Sequence, residues 1–329
     1  MAILTQGGTA LRVRSLAKGM ISFLPGLSGL AMPSGRAGGH TASAQYCYSV
    51  WLKHMTLLAE QGLLSPPSTV AELGPGSSIG VGLAALLSGA DHYVSLDVVP
   101  YTSDARNLAV LEDLLVLFRS RASRPDKGWP DFDGPLDDRL FPSHILTPAV
   151  LQRTLAPQRI AELRNAVNRI SESGGGSISI RHVAPWSDAA VVRDNSVDLI
   201  ISHSVLEHVT DLEATYSALY RWLRPSGWMS HQIDFRSHGL SAKWNGYRAC
   251  SELTWKMLMG RRPYLINREP CSTHLDHIRR TGFEIVCELK HMRADGVKRS
   301  QLTSHWAHLS DEDLNCSGLF VQARKLALH

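Results

Sequence analysis

Six side chains able to move a proton or hold an ion crowd into two short stretches. His203, Glu207 and His208 lie in Ser202-His-Ser-Val-Leu-Glu-His-Val209. His231, Asp234 and His238 lie in His231-Gln-Ile-Asp-Phe-Arg-Ser-His238. The first stretch follows the apolar run Val197-Asp-Leu-Ile-Ile-Ser202. The second overlaps the run Trp228-Met-Ser-His-Gln-Ile-Asp-Phe235. Both runs read as strands, so the titratable groups gather near strand ends. A carboxylate or imidazole there can act as general base toward a hydroxyl, whereas an amine needs such help less urgently. In strand alternation His231 and Ile233 face one way, Gln232 and Asp234 the other. Asp234 and His238 sit at or past the strand end, and each is a candidate base. His231 reads rather as a buried histidine bonded within the sheet. A metal on Asp234, His238 and His208 is conceivable, but the spacing matches no strong metal motif, and no metal is expected.

A second chemical element precedes these. Thr69-Val-Ala-Glu-Leu-Gly-Pro-Gly-Ser-Ser-Ile-Gly80 reads as strand, glycine turn and helix. Glycines let the backbone approach a ligand, and the helix start offers it N–H groups. Asp97 ends the next apolar run, 23 residues after Gly74. A carboxylate at that place can accept both hydroxyls of a ribose, so the pair proposes a nucleoside-containing cofactor. The dinucleotide fingerprint needs a third glycine where Ile79 stands, and no Gly-Lys-Ser/Thr follows. Glu72, two residues before the turn, suits a cationic ligand end and would repel a pyrophosphate.

These residues, with Asp194-Asn-Ser-Val-Asp-Leu-Ile200, Ser202–Val209 and Leu223-Arg-Pro-Ser-Gly227, resemble the class I S-adenosylmethionine-dependent methyltransferases, nearest to the small-molecule type 11 group. The resemblance spans about 69–99, 178–235 and 281–325. It implies a Rossmann-like, doubly wound α/β sheet of seven strands with the last one antiparallel. It implies S-adenosyl-L-methionine as cofactor, with Glu72, Gly74, Pro75, Gly76, Asp97, Ser202 and His203 around it. Many members carry an acidic residue near the adenine in the turn after the third strand. Here the turn reads Ala184-Pro-Trp-Ser-Asp188, so Trp186 could stack on adenine or pack in the core, and Asp188 could serve the amino group. Glu207 and His208 fall on helix-leading positions of the family. The catalytic candidates are Asp234, His238 and His208.

The remaining elements must position these groups. Ala44–Gln61 is a helix candidate stopped by Gly62, and Tyr46 and Tyr48 on it could reach the cofactor. Ser65-Pro-Pro-Ser68 links into the first strand. This divides the chain into a helical cap, 1–66, and a methyltransferase domain, 67–329. Two insertions interrupt the latter. About 100–177 is expected to be a helical lid, with a helix over Leu108–Arg121, a loop over Asp126–Pro142 and a helix start at Thr147-Pro148. About 236–270 is expected to bind the acceptor, because it mixes aromatic and basic residues. Thr210-Asp-Leu-Glu213 has capping-box spacing for the helix through Leu223. The segments Gly282–Glu288 and Gly318–Arg324, with no clear helix between them, are expected to pair antiparallel.

Composition narrows the class. The chain has 329 residues, 44% of them hydrophobic, with a formal charge of +4, which does not imply a nucleic-acid partner. Nucleic-acid amino-methylation needs an Asn/Asp-Pro-Pro-aromatic turn where this chain has Ser202-His-Ser-Val205, and cytosine chemistry needs a Pro-Cys there. The five cysteines have no CxxC spacing and read as free thiols of a reducing compartment, so a cytoplasmic protein is expected. Arg12, Arg14 and Lys18 before Gly19–Met32 superficially resemble a signal peptide. Pro25, Gly26 and Gly29 interrupt it, and docking on the domain is the leading reading, with peripheral membrane contact through residues 11–32 as an alternative. The expectation is therefore a methyltransferase acting on a small-molecule or carbohydrate acceptor, at oxygen. The competing readings are a catalytically inactive binding protein of the same fold and a nicotinamide-dependent oxidoreductase, against which Ile79 argues.

Overall fold

The structure is a computed structural model that describes residues 2–4, 10–22, 40–124, 140–170, 176–186, 188–262 and 265–327. Its centre is a seven-stranded sheet of β1 (Thr69–Leu73), β2 (His92–Leu96), β3 (Ser179–Val183), β4 (Val197–His203), β5 (Leu223–Asp234), β6 (Phe283–Met292) and β7 (Cys316–Lys325). The order is β3-β2-β1-β4-β5-β7-β6. The first five strands are parallel. β7 runs antiparallel between β5 and β6. The doubly wound sheet with its reversed last strand is thus as expected.

Central parallel strands are covered on both faces and read as continuous apolar runs. Val70, Ala71, Leu199, Ile200 and Ile201 are accordingly buried. One face carries α2 (Ala44–Glu60), α3 (Gly80–Ser88), α4 (Asp104–Arg119), α5 (Pro148–Thr154) and α6 (Pro157–Val167). The other carries α7 (Leu212–Trp222) and α9 (Cys271–Arg280). Strand order reverses between β1 and β4, and in such sheets ligands bind beyond the carboxyl ends at that point.

Three expectations change. The first core is continuous across residue 66, because Trp51, Leu52 and Leu58 of α2 are fully buried together with Val70 and Leu83. The stretch expected as a lid contributes α4, α5 and α6 to the same helical layer, through Leu111, Leu114, Phe118, Ile160 and Val167. Most of its expected loop, residues 125–139, lies outside the described residues. The N-cap of α7 is Asp211, whose Oδ1 accepts the Ala214 N–H at 2.9 Å, one residue later than Thr210. The Thr147 cap with Pro148 at the helix start is present.

α1 (Val13–Ile21) docks on α8 (Glu252–Met259) of the second insertion. Leu16 joins a satellite core with Tyr247, Trp255 and Leu258. Ser22 Oγ accepts the Arg261 N–H at 2.7 Å. A Cβ on Gly19 would collide with the Met257 and Leu258 carbonyls, so only glycine allows this approach. The part of the proposed membrane segment from 23 to 32 lies outside the described residues. Among those described, no helix is long and apolar enough to cross a membrane, and all five cysteines are buried and free.

Candidate functional site

The glycine turn leaves β1 with Gly74 at φ +62° and Gly76 at φ +77°. Side chains rarely adopt this left-handed region. A Cβ on Gly74 would also lie 2.6 Å from a Val205 methyl. The turn therefore has a bare backbone surface that a ligand can approach, next to the start of α3. Its shape is held from three sides. The Ile79 N–H donates to Asn107 Oδ1 at 3.1 Å. An Arg106 N–H donates to the Ser77 carbonyl at 2.9 Å. Ser78 Oγ donates to the Thr41 carbonyl, which also accepts from the Cys47 thiol at 3.3 Å. Asn107, Arg106 and Thr41 were not among the residues singled out by sequence. Asn107 and Arg106 belong to a stretch with no motif, and Thr41 precedes α2 far upstream.

Asp97 follows β2 beside this turn. Its Oδ1 accepts the Val98 N–H at 2.7 Å and the Val99 N–H at 3.3 Å. Burial raises its pKa, and the Val98, Val99 and Gly76 N–H groups oppose the rise. Trp186 is tied to the same place through its N–H, which donates to the Asp97 carbonyl at 2.7 Å. Its ring packs on Trp222 at 5.5 Å, and its Nε1 donates to the Asp188 carbonyl at 3.0 Å. Asp188 itself accepts the Ala190 N–H at 2.8 Å.

Glu72 is turned into the fold. Its carboxyl is buried and accepts the Tyr93 hydroxyl at 2.5 Å. Burial pushes its pKa up to about 7, against the Tyr93 hydrogen bond. Ser202 is likewise engaged within the sheet, where its Oγ lies 2.7 Å from His231 Nδ1. That contact makes His231 the buried, sheet-bonded histidine expected of it. Burial drives the His231 and His203 pKa values down to about 3. The His203 ring lies 5.9 Å from Tyr46 and 5.9 Å from His54. Tyr46 thus stands over the β4 end, and burial, with smaller contributions from Cys47, Glu72 and Glu207, pushes the pKa of its phenol up. Tyr48 turns away, donating to the Ala122 carbonyl at 2.7 Å.

Beyond the ends of β4 and β5, four side chains converge. His238 Nε2 lies 3.8 Å from Glu207 Oε1 and 3.7 Å from Asp234 Oδ2. His208 Nε2 lies 4.0 Å from the same Glu207 oxygen, and the two imidazole rings are 5.1 Å apart. Asp234 is gripped by Arg236, whose Nε and NH2 groups donate at 2.8–3.1 Å. Burial pushes the Asp234 pKa up, but Arg236 and His238 more than offset this and hold it below the usual carboxylate range. Glu207 is 2% exposed, and no side chain among the described residues hydrogen-bonds its carboxyl, while the backbone N–H groups of Glu207 and Asp234 act on it. Burial, then the charge on Asp234, raises its pKa strongly.

The second insertion supports this cluster from behind. The Asn267 N–H donates to the Glu207 carbonyl at 2.6 Å, and its Nδ2 to the Leu206 and Val209 carbonyls at 2.9 and 2.8 Å. Its aromatic residues Trp244, Tyr247 and Trp255 are buried, and Arg268 lies over the Trp255 ring at 4.4 Å. The Tyr247 and Trp255 rings belong to the satellite core in place of an open stacking surface. Pro263 and Tyr264 lie outside the described residues.

Residues 158–230 match the family model of the methyltransferase domain. The match holds β3, β4, α7 and the first part of β5, and stops short of the glycine turn on one side and of Asp234 on the other. A search of curated proteins finds no match. Among solved structures, an S-adenosylmethionine-dependent methyltransferase from Mesorhizobium loti is similar at 15% identity and a TM-score of 0.39, over 82% of this chain and 96% of that one. A phosphoethanolamine N-methyltransferase from Haemonchus contortus is similar at 14% identity and a TM-score of 0.41, over 86% of this chain and 56% of that one.

Proposed function

We propose that this chain is an S-adenosylmethionine-dependent methyltransferase, a reading supported by the methyltransferase-domain match over residues 158–230, and that it methylates a hydroxyl of a small-molecule or carbohydrate acceptor. The observation that supports this reading is the converging set of Glu207, His208, Asp234 and His238 beyond β4 and β5. An amine acceptor would not call for so many proton-accepting groups, whereas an alcohol must lose its proton as the new bond forms.

When bound, S-adenosylmethionine supplies a sulfonium methyl open to in-line attack. Gly74, Pro75 and Gly76 would pass their backbone against it, and the Asp97 carboxylate would accept the ribose hydroxyls. Trp186, tied to Asp97 through its N–H, would flank the adenine. Glu72 shapes this side from within, through Tyr93, and Ser202 and His203 contribute the β4 end. On the acceptor side, His208 and His238 orient the hydroxyl toward the methyl group. Asp234, kept ionised by Arg236, takes its proton.

A panel of hydroxyl-bearing and amine-bearing acceptors incubated with methyl-labelled donor tests the proposal. Label is expected in an O-methyl product. Label only in N-methyl or C-methyl products would overturn the oxygen assignment.

A further inference from the structure

Glu207 poses a problem that the roles above leave open. Its buried carboxyl has no side-chain hydrogen-bond partner among the described residues, and a buried carboxylate without a partnering cation is costly. The imidazole nitrogens of the cluster, His238 Nε2 at 3.8 Å and His208 Nε2 at 4.0 Å, are too far for hydrogen bonds. They are close to the separation that a shared ion would impose. Metal–ligand bonds of about 2.0–2.2 Å place two ligands of one ion about 3–3.5 Å apart. One ligand atom from each of Glu207, His208 and His238 lies within 4.8 Å of the others.

We propose that Glu207, His208 and His238 bind a divalent transition ion, and that the acceptor hydroxyl completes its coordination. Two imidazoles and one carboxylate suit zinc, manganese or iron rather than calcium or magnesium, which prefer oxygen-only sets. Glu207 supplies the buried anchor at 2% exposure. His208 and His238, whose side chains are 29% and 32% exposed, leave the remaining positions facing the acceptor side. The inference rests on the methyltransferase reading and specifies how the proton is released. Asp234 by itself is a weak base for an alcohol. An ion lowers the pKa of a bound hydroxyl, as it lowers that of water from 15.7 to about 7, and Asp234 beside His238 can then accept the proton. The oxygen–methyl bond forms as the sulfur–methyl bond breaks, leaving S-adenosylhomocysteine and a protonated Asp234 that returns its proton to solvent. The acceptor class this favours has two neighbouring oxygens, such as a vicinal diol or a hydroxyl beside a carbonyl, able to chelate the ion.

Cobalt(II) titration of the full-length, chelator-treated protein, followed by visible absorption, tests the site without requiring turnover. One equivalent is expected to give d–d bands. His238→Ala and Glu207→Gln are each expected to weaken binding by about tenfold or more. S-adenosylmethionine affinity, measured on the same samples, reports that the variants remain folded. Absence of cobalt binding in the wild type, or binding unchanged in both folded variants, overturns the ion site while leaving the methyltransferase reading in place. Failure of the wild type to bind S-adenosylmethionine, with cobalt bound and lost in both variants, would sink that reading and keep the ion site.

Discussion

The two halves of the site are built from different materials. The side proposed for the cofactor is backbone: a turn with two left-handed glycines, and one carboxylate pinned by neighbouring N–H groups. The side proposed for the acceptor is side chain: Glu207, His208, Asp234 and His238, brought together from the turn after β4 and the end of β5. A backbone surface is fixed by a few consecutive residues and tolerates little change. A side-chain cluster depends on distant elements, here Asn267 from the second insertion and Arg236 beyond β5, and can be retuned one residue at a time. The difference predicts that damage to one half will leave the other intact.

The largest effect is expected on the backbone side. Gly74→Val places a β-branched residue at φ +62° and drives its Cβ into Val205. Asp97→Ala removes the carboxylate expected to hold the ribose. Calorimetry should show S-adenosylmethionine binding lost by about a hundredfold or more in each, corresponding to about 2.7 kcal/mol. Tight binding retained by Asp97→Ala would remove that residue from the cofactor site.

A kinetic effect is expected on the other half. Asp234→Asn keeps the shape but removes the proposed base, so kcat should fall by about 10²–10⁴-fold. Affinity for S-adenosylmethionine should stay within about twofold of the wild type, since Asp234 belongs to the acceptor side. A matched loss of both would erase the division between the two halves.

Acid should strike the layer under the acceptor side. His231, packed on Ser202, and His274, packed on Tyr216 at 3.0 Å, are buried and neutral, with pKa values held down to about 3. Their unfolded values lie near 6.5. Between these limits the unfolded chain binds more protons than the native one, so stability is full above about pH 6.5 and is lost as pH falls toward 3. Each pH unit of that window removes about 1.4 kcal/mol per histidine. Chemical denaturation at pH 7 and pH 5 should show a clear loss. His231→Gln should flatten the slope, and a slope unchanged by that substitution would mean that other groups set it.

What was legible in the sequence follows the same division. The strands and the glycine turn could be read because each strand is an apolar run and the turn's residues are contiguous, while the seven-stranded sheet with its reversed last strand was what the family resemblance implied. Asp97 lies one strand away at a spacing set by the α3 crossover. The burial of Glu72 against Tyr93 was not legible, because Tyr93 faces it only through the pairing of β1 with β2. Glu207 was visible as a residue but not as a buried carboxyl without a side-chain hydrogen-bond partner, since that depends on what its neighbours fail to offer. The aromatic residues of the second insertion suggested an exposed binding surface. Their burial with Leu16 of α1 could not be inferred from composition, which is the same for a small core and for a stacking platform.

The smallest expected effect sharpens the boundary between the halves, because Trp186 belongs to both a core and a candidate adenine site. Its N–H is fixed to Asp97, and its ring lies on Trp222. If the ring also stacks on adenine, Trp186→Ala should weaken S-adenosylmethionine binding by about two- to tenfold, the worth of one aromatic contact at about 0.5–1.5 kcal/mol. Stability should fall as well, since the ring also covers Trp222. Trp186→Phe separates the two roles. It keeps a ring for stacking but loses the Nε1 bond to the Asp188 carbonyl. Retained affinity in Trp186→Phe together with weakened affinity in Trp186→Ala would assign the ring to the cofactor. Equal affinity in both variants and the wild type would leave Trp186 as the cover of Trp222 alone.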